Sequence, residues 1–120
     1  MIKELSGRYV SFRIRPFVYK ECLEYSKEVV KKLKLGEIYI LEKNFQKAID
    51  KFNEVIKIDK TYSEAYINKA ICYKNLKKYE EALNILNMTT REGYIEKEGD
   101  LMKIFYIKGV CFKYLKKYKE

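Results

Sequence analysis

The 120-residue chain contains no histidine and no tryptophan. Without histidine it lacks the side chain that most often acts as general base near neutral pH and as a zinc ligand. Its three cysteines, Cys22, Cys72 and Cys111, form no Cys-x-x-Cys pair, so neither a disulfide framework nor a zinc site is written into the chain. One proline and five glycines are too few turn-formers for a protein of many short strands. There is no Gly-rich phosphate loop and no serine or cysteine with a recognisable base partner, which argues against an enzyme and against any bound cofactor. The start, Met1-Ile2-Lys3-Glu4-Leu5, has no apolar run of the signal-peptide kind, and no later stretch is long and apolar enough to cross a bilayer. The expected location is cytoplasmic.

Hydrophobic residues make up 48% of the chain and charged residues 36%, the composition of a folded, charge-rich helical protein. Lysine and arginine outnumber the acids 26 to 17, a net charge of +9. That excess favours an acidic partner, whether protein, nucleic acid or membrane surface. A lysine coat on solvated helix faces produces the same number.

The sequence from Leu35 to Thr90 is written twice. A shift of 34 residues places Gly36 on Ala70, Tyr39 on Tyr73, Phe45 on Tyr79, Ala48 on Ala82 and Phe52 on Leu86. A second shift, of 39, carries Cys72–Tyr79 onto Cys111–Tyr118, Tyr66 onto Phe105 and Ala70 onto Gly109. A fixed period of this size marks a stack of similar structural units.

Residues 1–16 read as a tail in which Val10, Phe12 and Ile14 alternate with polar neighbours. From Pro16, the stripe Val18, Cys22, Tyr25, Val29, Leu33 predicts one helix running to about Glu42. Asn44 is placed to cap a second helix over Phe45–Ile58, and Thr61-Tyr62-Ser63-Glu64 has the form of a capping box before a third, about Ser63–Leu76. A fourth follows from Tyr79 to about Thr90. A polar loop, 91–100, then absorbs the five extra residues of the longer shift, and Asp100 is placed to cap a last helix over about Leu101–Lys116. Tyr118 should open another.

These small and bulky positions resemble the tetratricopeptide repeat, a 34-residue unit of two antiparallel helices. The recurring small residue is Gly36, Ala70 and Gly109; its aromatic neighbour is Tyr39, Tyr73 and Phe112; the aromatic opening the second helix is Phe45, Tyr79 and Tyr118. Ala48 and Ala82, then Phe52 and Leu86, complete the pattern. The resemblance covers residues 29–120, as repeats at about 29–62 and 63–96 and an incomplete one at 102–120. Lys32 replaces the usual aromatic near the start of the first unit, and Lys60 the usual proline near its end.

The resemblance implies an all-α superhelix, a solenoid of antiparallel helix pairs over residues 17–120. It also implies a non-catalytic adaptor or scaffold that binds a protein or peptide in a groove lined by the first helix of each pair. Carried over, the groove residues are Leu33 and Glu37, then Ile67, Asn68, Ile71 and Lys74, then Lys103, Tyr106, Val110 and Lys113. Some family members grip a terminal carboxylate with five polar residues. This chain keeps only Asn68 and Lys103, with Leu33, Glu37 and Ile107 where lysine, asparagine and arginine are expected, so that ligand is disfavoured. An acidic peptide with apolar anchors fits better, and the open ends of the stack suit self-association. The alternative is a basic helical repeat that binds nucleic acid or another polyanion, motivated by the charge and twelve tyrosines.

Overall fold

The computed structural model describes residues 16–95 and 97–119, with side chains described over 24–95 and 97–116. Five helices follow one another: α1 (Pro16–Leu41), α2 (Phe45–Ile58), α3 (Ser63–Asn75), α4 (Tyr79–Arg91) and α5 (Glu98–Lys119). No strand occurs among the described residues. The alternating segment around Val10, Phe12 and Ile14, and the side chains of Val18, Cys22 and Tyr118, lie outside them.

The chain divides into two compact units, residues 1–30 and 31–120. The described part of the first is the beginning of α1, which starts at Pro16 as its fixed φ suits a first helical turn. The second holds the remainder. In it α2 packs on α3, α3 on α4, α4 on α5, and the two first helices α3 and α5 lie side by side.

Periodic apolar faces drive this packing. In α2, Ala48, Ile49, Phe52 and Val55 are buried; in α4, Tyr79, Ala82, Leu83 and Leu86. One continuous cluster joins Ile67 and Ala70 of α3 to Tyr79, Ala82, Leu83 and Leu86 of α4 and to Ile104, Ile107 and Cys111 of α5. The small residues Ala48, Ala70 and Ala82 are fully buried between helices. Gly36 is the extreme case: a Cβ there would lie 2.6 Å from Cε1 of the Phe52 ring.

Three helices end in the same way, with a left-handed residue and a tightened last turn. Lys43 (φ 61°), Lys77 (φ 65°) and Gly93 (φ 75°) follow α1, α3 and α4. The amide after each reaches back five residues: Asn44 to Tyr39 O (2.8 Å), Lys78 to Tyr73 O (2.8 Å), Tyr94 to Thr89 O (3.2 Å). This arrangement satisfies otherwise orphaned carbonyls, and glycine is its preferred residue. Two of the three positions carry lysine. Lys43→Gly is therefore expected to raise the unfolding free energy by about 0.5–1 kcal/mol. Urea midpoints would measure it, and a lower midpoint would mean that the lysine side chain itself holds the turn.

Four local expectations are corrected. Asn44 occupies the position before α2 but makes no side-chain bond to it. The capping box does not form: Tyr62 stands at the cap of α3, while Thr61 donates from its hydroxyl (2.7 Å) and its amide (3.0 Å) to Asp59 Oδ1. A nearby carboxylate outcompetes the helix amide for the hydroxyl. Asp100 is not a cap, because α5 begins earlier, at Glu98. Its carboxylate is instead buried and accepts from Ser63 Oγ at 3.0 Å. Finally, α5 does not end near Lys116; it continues to Lys119 without the turn found after α1 and α3. A left-handed lysine costs free energy, and in the earlier units the burial of Ala48 and Phe52, or Ala82 and Leu86, offsets it.

The unit-start aromatic takes three forms in three settings. Lys32 makes an ion pair with Glu54 of α2 at 2.8 Å. The hydrogen bond from Lys32 is the main cause that holds the Glu54 carboxyl below its ordinary range; burial pushes it up, and Lys51 adds to the lowering. Tyr66 is buried, donates to Lys60 O at 2.6 Å and stacks on Tyr94 with ring centres 5.5 Å apart. Phe105 is exposed.

Candidate functional site

The residues carried over as a groove do not all reach the surface. Leu33 and Ile67 are 5% and 2% exposed and belong to the core. Asn68 and Ile71 are half-buried on α3, and Ile71 packs against the α3–α4–α5 cluster. Glu37 and Lys103 are exposed on α1 and α5.

The other four converge. Lys74 from α3 and Tyr106, Val110 and Lys113 from α5 line one open cleft of about 570 Å³. Helical spacing explains the α5 contribution: Tyr106, Val110 and Lys113, at intervals of four and three, fall on one stripe of the helix. Asn75, Lys77, Tyr79 and Tyr114 complete the lining. Lys77 enters because the left-handed turn after α3 projects it toward the same opening. Tyr114 lies flat on Tyr79, with ring centres 5.2 Å apart and planes within 6°. That stack gives the cleft a rigid aromatic wall.

Sequence reasoning missed Lys77, Asn75 and Tyr114. A signal for the last two was present, since the 39-residue shift that pairs Lys74 with Lys113 also pairs Asn75 with Tyr114. Tyr79, the aromatic that opens α4, is buried and also lines the cleft.

The cleft is electropositive and partly apolar. Lys74, Lys77 and Lys113 supply three ammonium groups, and among the described residues no carboxylate lines the opening. The field of Lys74 reaches Cys111, where it opposes part of the upward push that burial exerts on the thiol. Tyr106 is 69% exposed and Val110 half-buried, so an incoming apolar group has surface to cover. Such a surface can hold an anionic, partly apolar segment by charge-assisted hydrogen bonds and area burial.

The thiols of Cys72 and Cys111 are buried; burial pushes Cys72 up to about 12, far from the thiolate a nucleophile requires. Among the described residues no group of three or more acidic or cysteine side chains could hold a metal ion, and no helix is long and apolar enough to cross a membrane.

Antiparallel helix pairs of repeated pattern, with first helices side by side and a cleft between them, define an all-α helical-repeat protein. The family model described as tetratricopeptide repeat matches residues 39–94. The TPR repeat-containing protein YsoA of Bacillus subtilis is 36% identical over 59 residues, 49% of this chain and 18% of that protein. Sperm-associated antigen 1 of rat and of mouse is 40% identical over 47 residues, 39% of this chain and 5% of each relative. The chain thus matches less than a fifth of the length of these relatives. Over residues 39–94 the chain is similar to the tetratricopeptide repeat, a unit that generally mediates protein–protein interaction.

Proposed function

We propose that this chain is an adaptor-type interaction module whose α3–α5 cleft receives a peptide segment bearing acidic side chains around an apolar or aromatic anchor. One observation carries the reading: Lys74, Lys77 and Lys113 line a single cleft together with the exposed Tyr106 and the half-buried Val110. The lysines would take the carboxylates, while Tyr106, Val110 and the Tyr114 wall would cover the anchor. Affinity would come from a few buried contacts and association rate from the net positive field. Leu33 and Ile67 would act by supporting α1 and α3 from within. A reducing cytoplasm suits the two buried free thiols.

Fluorescence anisotropy with a labelled short peptide of glutamates flanking leucine and phenylalanine tests the reading. Its lysine-substituted counterpart and a labelled oligothymidylate serve as comparisons. Binding of the acidic peptide is expected to fall by about tenfold or more in Lys74→Glu/Lys113→Glu, and comparably in Tyr106→Ala. Equal affinity of wild type and variants would remove the cleft as the binding surface. Tighter capture of the oligonucleotide, with a steep salt dependence, would replace the peptide reading by polyanion binding.

A further inference from the structure

On the opposite side of α5 from its buried residues lies an apolar stripe left exposed among the described residues: Met102 (69% exposed), Phe105 (59%), Gly109 and Phe112 (57%). The spacings of three, four and three keep them on one helical face. The internal repeat shows what such a face takes. Tyr66, Ala70 and Tyr73 hold the same positions in α3, and there they are covered: Ala70 is fully buried and Tyr73 half-buried in the cluster that includes α4, and Tyr66, 7% exposed, stacks on Tyr94 just beyond α4. The covering helices carry a matching signature, a small residue between two bulky ones. In α2 it is Phe45, Ala48, Phe52, and in α4 it is Tyr79, Ala82, Leu86.

The face of α5 carries that signature too, with Gly109 between Phe105 and Phe112. It is thus both a surface that needs a covering helix and a helix of the covering kind. We propose that it pairs with α5 of a second copy of this chain, antiparallel across a two-fold axis near Gly109. Nothing within 4 Å would meet a Cβ at Gly109, so the backbone there is open to close approach. An isologous contact requires a self-complementary patch, and bulky–small–bulky read in reverse meets its own image: Phe105 of each copy falls beside Phe112 of the other. Charge selects the antiparallel sense. The exposed Glu98 lies in the first turn and the exposed Lys116 near the other end, so antiparallel helices bring unlike charges together. The net charge of +9 opposes association, so the dimer is expected to strengthen with moderate salt. The stripe shares no residue with the cleft above, so the two readings stand or fall separately.

Light scattering after size exclusion, over a concentration series, tests the pairing. Wild type is expected to rise from monomer toward dimer mass. Phe105→Glu/Phe112→Glu, at two exposed positions, is expected to stay monomeric with unchanged helical circular dichroism. Lys74→Glu/Lys113→Glu is expected to dimerise like wild type. In a Cys22→Ser background, Gly109→Cys should yield a disulfide-linked dimer on mild oxidation, lost when Phe105→Glu/Phe112→Glu is added. A wild-type monomer at every concentration would overturn the proposal and leave the face to a helix of another protein. So would a dimer that survives the paired glutamates, or one in which Gly109→Cys fails to cross-link.

Discussion

Phe52→Ala is expected to lower the unfolding free energy by about 3–5 kcal/mol, and Gly36→Ala by about 1–3 kcal/mol, yet the two together should cost less than their sum. Phe52 is among the largest side chains with no exposed surface, so its truncation empties space in the interior that the helices cannot fully close. Gly36 presents the opposite fault. An added methyl would lie 2.6 and 2.7 Å from Cε1 and Cζ of the same ring, below any real contact distance. The ring is held on all sides, so backbone must move. Alanine would otherwise be favoured there by about 1 kcal/mol within a helix. With Phe52 removed, the new methyl points into the vacated space. Urea unfolding of both single variants and the double is expected to show coupling of about 1 kcal/mol or more. Strict additivity would mean that Gly36 and Phe52 do not share a contact. Gly109→Ala is the internal control at the equivalent position of the third unit. Nothing lies near its Cβ, so it is expected to stabilise by about 0.5–1 kcal/mol, measured with Phe105→Glu/Phe112→Glu so that association does not enter.

Ile107→Arg, which would restore one missing donor of the terminal-carboxylate grip, is expected to unfold the protein rather than create that specificity. Ile107 is 3% exposed and packs among Ile67, Leu86 and Ile104. A guanidinium placed there loses its water without gaining an acidic partner, at a cost expected to exceed about 4 kcal/mol. Leu33→Lys should fail in the same manner, whereas Glu37→Asn, on the exposed face of α1, should leave the thermal midpoint nearly unchanged. Thermal denaturation separates the cases. A cooperative, wild-type-like transition in Ile107→Arg would show that α5 can rotate its apolar face outward. At Leu33 and Ile107, departure from the terminal-carboxylate pattern is therefore tied to packing, because both side chains are core.

What the chain determined by itself was its division into helices and their pairing. Phe45–Ile58 is legible because Ala48, Ile49, Phe52 and Val55 recur at helical spacing, and the 34-residue shift reveals that α3 and α4 repeat the pairing of α1 and α2. Small residues opposite large ones carry that information locally, residue by residue. The rest was decided where segments distant in sequence meet. Asp100 reads as a cap until Ser63, 37 residues away, offers a buried hydroxyl. Leu33 and Ile67 share a periodicity with accessible residues, and only the helices packed against them make them core. Lys77 joins Lys74 and Lys113 because a left-handed turn and two adjacent first helices bring them to one opening. Periodicity assigns a residue to a face of its helix. Whether that face meets another helix, a partner or water depends on the neighbouring helices, and therefore on the tertiary structure.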